Sequence, residues 1–464
     1  MRSSTVQRVY ALLLRFLALV VSVFFRTREV AGREHVPPDG PIVFAGNHPN
    51  SLLDPVLILV TCGRPVRFAA KDVLFKSPFL RPLLSILGAV PVRRRKDHQG
   101  AVQADGTVDN AAAFEAMFQA LAAGDAVGIF PEGISHDGSE LAPLRTGVAR
   151  IALGAAARRA PGAAPVRIVP CGLSYLQPTR MRSRVLVEYG PPIEVDAARL
   201  AAWANDERAA ARELTEAVEG ALRDLTINAP DYETLRVLTG VRQLYTPPGL
   251  ELPLSHQAEL SRRFIGRWQE LRALPEVAAL YAEVRAYLVQ VDSLGFTDPL
   301  LRAPLTPLGW AALLGRHLLL IFVLLPLAVP GLLIHLPLLA AAVVFGEGLT
   351  PRRNVRATTK VVTLALGVPA IYAALIALAA WLAPPEERLV LSLSVAALLP
   401  TCGWATIRVL ERQSALRHML VTLSMLVLLR REVDRLRAER DRLQARIREA
   451  VERHAPPDLQ RIIP

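Results

Sequence analysis

From Pro41 to about Gly190, short apolar runs alternate with helix-period stretches, and the alternation predicts a layered α/β domain. The runs Ile42–Ala45, Val66–Ala70, Ala89–Val92, Ala126–Phe130, Arg167–Cys171 and Val185–Tyr189 read as strands. Between them Asn110–Ala123 and Pro143–Arg159 read as helices, the first closed by Gly124. Ala197–Leu225 reads as one long, charged amphipathic helix. From Ala229 to about Leu305 the chain is polar and helical, with breaks at Pro247-Pro248 and Pro304–Pro307.

The pattern then changes. Leu318–Phe345, Val361–Ala383 and Leu389–Val409 are almost free of charge and close to the roughly 20 residues that a membrane span needs. Basic residues flank them: Arg352, Arg353, Arg356 and Lys360 at one turn, Arg408, Arg412 and Arg417 beyond the last. The turn Pro384–Arg388 between the second and third stretches carries Glu386 and Glu387. The positive-inside rule puts both basic segments in the cytoplasm and the acidic turn outside, which makes these two stretches a helical hairpin. The first stretch has arginines on both sides and contains Pro326, Pro330 and Pro337. It reads as a broken or re-entrant element, because neither half reaches across a core of about 30 Å at roughly 1.5 Å per residue.

At the N-terminus Val9–Phe25 is apolar but interrupted by Arg15, with no small-residue cleavage site after it. It reads as an uncleaved helix on a membrane surface rather than as a span. At the other end Arg430–His454 sets Val433, Leu436, Leu443 and Ile447 at roughly heptad spacing among dense charge. That is too short for a coiled coil and reads as a solvated helix with homodimer potential. The expected organisation is an N-terminal membrane-associated helix (1–29), an α/β domain (30–228), a helical extension (229–310), a membrane region (311–429) and a charged C-terminal helix (430–464).

Composition agrees with this division. The 464 residues are 52% hydrophobic and 21% charged, and the net charge of +12 favours an anionic partner such as a lipid headgroup or a phosphate. No nucleic-acid-binding motif accompanies the charge. Cys62, Cys171 and Cys402 lie far apart without metal-ligand spacing and read as reduced, structural thiols. The membrane stretches are too few, and too poor in charged pairs, for a transporter. Heavy use of Ala, Arg, Leu and Pro suggests a GC-rich bacterial genome, hence an inner membrane with the α/β domain on its cytoplasmic face.

Two strand ends carry the chemistry. The first runs Asn47-His48-Pro49-Asn50-Ser51-Leu52-Leu53-Asp54, the second Phe130-Pro131-Glu132-Gly133-Ile134-Ser135-His136-Asp137. A histidine near an aspartate can serve as a general base whose ring the carboxylate holds. Each motif also has a plain reading: Asp54 with Pro55 makes a good helix N-cap, and Glu132 can sit in a solvated turn. Six residues apart, His48 and Asp54 meet only if His48 lies in the turn before the helix. Between the motifs, Gly88–Arg95 is a strand ending in Arg93, Arg94 and Arg95, guanidinium groups suited to a phosphate or simply to solvent. Arg145 and Lys71 are further basic candidates, and Val169-Pro170-Cys171 ends another strand.

These four segments, in this order, resemble the glycerolipid acyltransferase family, which acylates glycerol-3-phosphate and lysophosphatidate. The wording Asn-His-Pro-Asn-Ser-Leu-Leu-Asp-Pro, Phe-Pro-Glu-Gly-Ile-Ser-His-Asp and Ile-Val-Pro-Cys-Gly-Leu-Ser-Tyr is similar to its fungal-type glycerol-3-phosphate/dihydroxyacetone-phosphate branch. So is Leu235–Pro248, and the likeness covers roughly Val30 to Gly266. The resemblance implies an α/β fold, a mixed-sheet acyltransferase domain carrying a helical extension and C-terminal transmembrane helices. It implies His48 as general base and Asp54 as its support, with Arg94 as the phosphate-binding arginine. Arg93, Arg145, Glu132, Gly133 and Ser135 fall on the acceptor side, and Pro170 on the acyl-donor side. The five residues between His48 and Asp54 exceed the family's commonest spacer of four but also suit the fungal-type branch.

The reaction so implied takes a fatty acyl group from an acyl thioester, acyl-CoA or acyl-carrier protein, to a hydroxyl of glycerol-3-phosphate, with dihydroxyacetone phosphate as a second acceptor. It needs no metal and no cofactor, and its partners are the two substrates and a lipid bilayer, not nucleic acid. Backbone N–H groups after His48 are the expected donors to the tetrahedral oxyanion. A lysophosphatidate or other lysophospholipid acyltransferase would use the same residues, and a non-catalytic membrane scaffold would keep the fold without needing His48.

Overall fold

The computed structural model describes residues 4–78, 80–93, 109–160, 162–247, 249–295, 301, 307–348, 350 and 353–454. These form two compact units, one of residues 1–232, 253–262 and 352–358, the other of residues 233–252, 263–351 and 359–464.

The first unit is built on an eight-stranded mixed sheet among the described residues. Its strands are β1 (Phe25–Ala31), β2 (Ile42–Gly46), β3 (Val66–Lys71), β4 (Val90–Val92), β5 (Ala126–Ile129), β6 (Arg167–Tyr175), β7 (Ser183–Tyr189) and β8 (Ile193–Glu194). They lie in the order β1-β7-β6-β2-β5-β3-β4, with β8 beside β6. The neighbours β6, β2, β5, β3 and β4 run parallel, whereas β7 and β8 oppose β6. All five residues of β2 are buried, which explains its unbroken apolar run at the centre of the sheet.

Successive residues of β2 face opposite layers. Val43 and Ala45 join Val127 and Ile168 in a core shared with helices α4 (Ala111–Ala122), α5 (Gly147–Ala156) and α7 (Glu207–Leu225). On the other face Phe44 meets Tyr189 edge to face, and the Tyr189 hydroxyl lies 2.7 Å from Thr61 Oγ1 at the end of α2 (Leu53–Thr61). The sheet is thus covered on both sides, as a mainly parallel sheet must be.

Several elements differ from expectation. β1, dominated by Arg26, Arg28 and Glu29, is not among the expected strands, yet it pairs in parallel with β7 at the sheet edge. Its Glu29 carboxylate accepts N–H bonds from Leu254 at 2.7 Å and Ser255 at 2.9 Å, capping helix α9 (Leu254–Leu271). These donors hold the Glu29 carboxyl below its ordinary value against the upward push of burial. The expected Ala197–Leu225 helix is two helices, α6 (Ala197–Asn205) and α7, because Asp206 turns extended and accepts from the N–H groups of Arg208 and Ala209. The helix expected from Pro143 begins only at Gly147, with Arg145 still in the loop before it.

In the second unit the first apolar stretch is one helix, α11 (Pro307–Val343), assigned straight through Pro326, Pro330 and Pro337, so the expected break is absent. Prolines are tolerated in apolar helices where neighbouring helices supply close packing and polar groups. Here Gly331 provides the approach: a Cβ on it would lie 2.3 Å from the Cys402 carbonyl oxygen on α13 (Arg388–Leu428). His335, one turn later, donates from Nδ1 to the Gly331 carbonyl at 2.6 Å, and its Nε2 lies 2.9 Å from the Tyr372 hydroxyl on α12 (Arg353–Leu382). Tyr372 in turn donates to the Leu399 carbonyl on α13 at 3.1 Å.

Four described helices are long and apolar enough to cross a membrane: Thr5–Phe24, Leu308–Gly348, Val355–Leu382 and Arg388–Val421. The first lies within α1 (Ser4–Phe24). The C-terminal helix α14 (Arg430–His454) is not the solvated helix expected. Val433, Leu436, Leu443 and Ile447 are all buried, and α14 packs against α10 (Pro275–Ser293), whose Val284 and Tyr287 are buried too. The seam that suggested a homodimer is filled by the chain itself, and a Glu283–Arg446 ion pair and a Glu276–His454 hydrogen bond flank it.

Candidate active site

Parallel strands send their C-terminal ends to one edge of a sheet, and loops at that edge collect the chemistry. Here the edge gathers His48 after β2, Glu132 after β5, Lys71 at the end of β3, Arg93 after β4 and Tyr175 at the end of β6.

Asn47 leaves β2 with its side-chain amide doubly bonded to the backbone of Leu173, accepting its N–H at 2.7 Å and donating to its C=O at 3.1 Å. The next residue is thereby pinned to β6. His48 lies in the turn before α2, as its spacing from Asp54 demands. The turn is tightened by Ser51, which adopts a left-handed φ of 49°, uncommon for a residue other than glycine. Asp54 is therefore not the N-cap, a position held by Leu52, but the second residue of the helix. His48 Nδ1–H donates to Asp54 Oδ2 at 2.8 Å. That bond leaves Nε2 as the basic nitrogen, and among the described residues Nε2 has no hydrogen-bond partner. The ring stacks on Phe130 at 4.1 Å between centroids, and Phe130 stacks in turn on Phe68.

Asp54 is fully buried. Besides His48 it accepts from the Asn50 N–H at 2.7 Å and from the Tyr175 hydroxyl. Burial drives its carboxyl above the ordinary aspartate value, and the donors from His48, Tyr175 and Asn50 pull part of that rise back. Burial and the neighbouring Asp54 charge push the Tyr175 phenol well above its ordinary value, so it stays a donor.

The second motif is tied to the first. Glu132, 4% exposed, accepts the His48 N–H on Oε1 at 2.8 Å. Its Oε2 accepts the Ala142 N–H at 2.9 Å and the His136 Nε2–H. The His136 N–H donates to the His48 carbonyl at 3.1 Å, and Ser135 Oγ accepts the Ser51 N–H at 3.1 Å. Glu132 and Ser135, expected to face the acceptor, hold the loop that carries His48. Gly133 has a φ of 69°, and a Cβ there would lie 2.7 Å from Arg145 Nε, so its missing side chain seats that exposed guanidinium beside the motif.

The remaining expectations fall differently. Arg93 is exposed beyond β4, its N–H bonded to the Asn110 side chain, while Arg94 lies outside the described residues. Pro170 is buried within β6 opposite Ala45, with its carbonyl accepting the Gly190 N–H. Of the backbone N–H groups expected as oxyanion donors, three are already engaged, that of Asn50 by Asp54, that of Ser51 by Ser135 and that of Leu53 by the Asn50 carbonyl. Tyr175 was not singled out from the sequence, because it stands 121 residues from Asp54 and only the parallel pairing of β6 with β2 brings them together.

The arrangement is an oriented imidazole with its outer nitrogen available, and a group so held can serve as a general base. Residues 27–174 match the acyltransferase family, and residues 237–348 and 350–459 match the C-terminal domain of glycerol-3-phosphate acyltransferase 2. The chain is 28% identical over 429 residues to glycerol-3-phosphate O-acyltransferase 1 of Saccharomyces cerevisiae, covering 73% of this chain and 56% of that protein. It is 34% identical over 247 residues to glycerol-3-phosphate O-acyltransferase 2 of the same yeast, covering 50% and 33%. A 1-acyl-sn-glycerol-3-phosphate acyltransferase of Borreliella burgdorferi is 29% identical over 125 residues, covering 27% and 45%. The chain thus spans about half the length of the first relative and a third of the second.

Proposed function

Because the chain belongs to the glycerolipid acyltransferase family, on the fungal-type glycerol-3-phosphate acyltransferase branch, we propose that it transfers a fatty acyl group from an acyl thioester to a hydroxyl of glycerol-3-phosphate. The observation that carries this reading is the His48–Asp54 bond of 2.8 Å to a buried carboxylate, with Nε2 left as the base.

In the reaction the acceptor hydroxyl gives its proton to His48 Nε2 while its oxygen forms a bond to the thioester carbonyl carbon. The carbonyl electrons move onto oxygen, and Asp54 stabilises the imidazolium. Collapse of the tetrahedral intermediate breaks the carbon–sulfur bond, and the imidazolium proton goes to the leaving thiolate. The ester and the free thiol are the products. No step requires an acyl-enzyme, and the chain supplies the chemistry without a cofactor in this reading.

In this reading the acceptor phosphate falls to Arg94, which the family resemblance assigns, with Arg93 beyond β4 and Arg145 beside Gly133 as further basic groups. Dihydroxyacetone phosphate shares that phosphate and is a second acceptor of the same class. Acyl-CoA and acyl-carrier protein both carry the required thioester. The four apolar helices suit an enzyme whose product is an amphiphile, and in this reading the basic turns favour a cytoplasmic face for the acyltransferase domain. Residue usage favours a bacterial inner membrane.

A second reading, transfer to lysophosphatidate, is favoured by the likeness of one stretch to the Borreliella enzyme. Purified full-length chain offered glycerol-3-phosphate, dihydroxyacetone phosphate and lysophosphatidate in competition separates them. Preferential acylation of glycerol-3-phosphate supports the first reading, preference for lysophosphatidate supports the second, and acylation of none of the three overturns both.

A further inference from the structure

The carboxylate of Asp54 is held on both oxygens, and only one side belongs to the motif. Oδ2 takes the His48 Nδ1–H and the Asn50 N–H, whereas Oδ1 takes the hydroxyl of Tyr175. A carboxylate gripped on one oxygen alone keeps freedom to rotate about its Cβ–Cγ bond, and Oδ2 would then leave the line of Nδ1. A donor on the opposite oxygen removes that freedom.

Resting on the acyltransferase reading above, we infer that Tyr175 is a positioning residue of the His48–Asp54 pair, fixing the carboxylate plane that aims the base. Tyr175 has its own support. Its ring packs on Phe25 at 5.8 Å between centroids, and Phe25, 2% exposed, meets Phe24 edge to face at 4.9 Å. Phe24 is the last residue of α1 and Phe25 the first of β1. Arg182 fastens the same corner: its N–H donates to the Phe24 carbonyl, and its guanidinium donates to the carbonyls of Ser22 and Val23 at 3.1 Å each. The hydroxyl aimed at Asp54 is therefore set from the junction of the N-terminal helix with the sheet.

The titratable groups facing Asp54 are His48 and Tyr175. Behind His48 stand Glu132, on its backbone N–H, and His136 beyond Glu132. Because the phenol keeps its proton, it acts only by donating. Removing it has two effects of the same sign. Asp54 then holds its proton to a higher pH, and the ionised carboxylate, with one donor fewer, holds a protonated His48 more tightly. Both move the acidic limb of activity upward.

Tyr175→Phe keeps the ring against Phe25 and deletes only the hydroxyl. On the purified full chain, two pH series are compared with wild type: kcat/KM for acyl transfer, and the rate of His48 modification by diethyl pyrocarbonate read by mass spectrometry. The expected result is an upward shift of about half to one pH unit in both midpoints, with kcat lowered and the acceptor KM kept. A residue that merely packs would leave both midpoints in place, and an unshifted His48 modification midpoint in folded Tyr175→Phe overturns the inference. The modification needs no turnover. A wild-type chain that transfers no acyl group would therefore sink the acyltransferase reading, and the positioning role would still be decided by the modification midpoint.

Discussion

The backbone N–H of His48 donates to Oε1 of Glu132 at 2.8 Å, and Glu132 is 4% exposed. The residue that the family resemblance assigns to the acceptor is thus a clamp on the loop that carries His48. Its other oxygen is held by Ala142 and His136.

Glu132→Gln replaces one acceptor oxygen with an amide that cannot receive these N–H groups. The expected result is a fall in kcat of about ten- to a hundredfold, because the base is displaced, with the acceptor KM within about twofold of wild type. Steady-state kinetics with varied glycerol-3-phosphate make the check. A raised acceptor KM with unchanged kcat would return Glu132 to the substrate.

Asp54→Asn separates activity from stability. Burial raises the Asp54 carboxyl above its ordinary value, so ionising it is harder in the folded chain than in the unfolded one. For a raised carboxyl, this group's contribution to stability is fully present below the unfolded value of about 4 and is lost as pH rises through the folded value. At neutral pH the buried charge therefore weighs against folding, and Asn removes it. Thermal unfolding near pH 7 is expected to show a midpoint no lower than wild type, while kcat falls by about 10³- to 10⁴-fold because the imidazolium loses the negative charge that stabilises it. A variant with near-wild-type kcat would remove Asp54 from the mechanism.

Much of this site is legible in the sequence, and the rest fails for identifiable reasons. The six apolar runs are all strands, and the central parallel ones, β2 above all, bury both faces and need no alternation to be seen. Strand β1 hides because its arginines and glutamate belong to a sheet edge, where polar side chains reach solvent and pairing comes from β7. His48 and Asp54 are recognisable as a pair, but the left-handed Ser51 that lets a five-residue spacer close leaves no compositional trace. Tyr175 and the clamp by Glu132 depend on strand order, which local spacing does not encode. The seam on α14 is visible as a heptad, whereas its occupant, α10, is a choice made in three dimensions.

Arg94→Ala and Arg145→Ala distinguish the phosphate contacts. Arg94 is the arginine the family resemblance assigns, and Arg145 stands beside Gly133. Loss of Arg94 is expected to raise the glycerol-3-phosphate KM about tenfold or more with a smaller effect on kcat, as for removal of a charge-assisted phosphate contact. An unchanged KM in Arg94→Ala together with a raised KM in Arg145→Ala would move the phosphate to Arg145.

Gly331→Val tests the helix packing of the second unit. A Cβ at this position meets the Cys402 carbonyl and Thr406 Oγ1, each at 2.3 Å, so α11 and α13 must separate. Overpacking of this kind costs on the order of 1–3 kcal/mol. Thermal unfolding in detergent is expected to show a lowered midpoint, and an unchanged midpoint would mean that the two helices do not need this contact.

The most direct measurement is acyl transfer by purified full-length chain, wild type beside His48→Ala, with an acyl-CoA and glycerol-3-phosphate. Wild type is expected to form the acylated glycerol phosphate with release of free thiol. His48→Ala is expected to lower kcat by about 10³- to 10⁴-fold while retaining its fold and its membrane association. Acyl transfer by His48→Ala at a rate near wild type would contradict the assignment of His48 as the base.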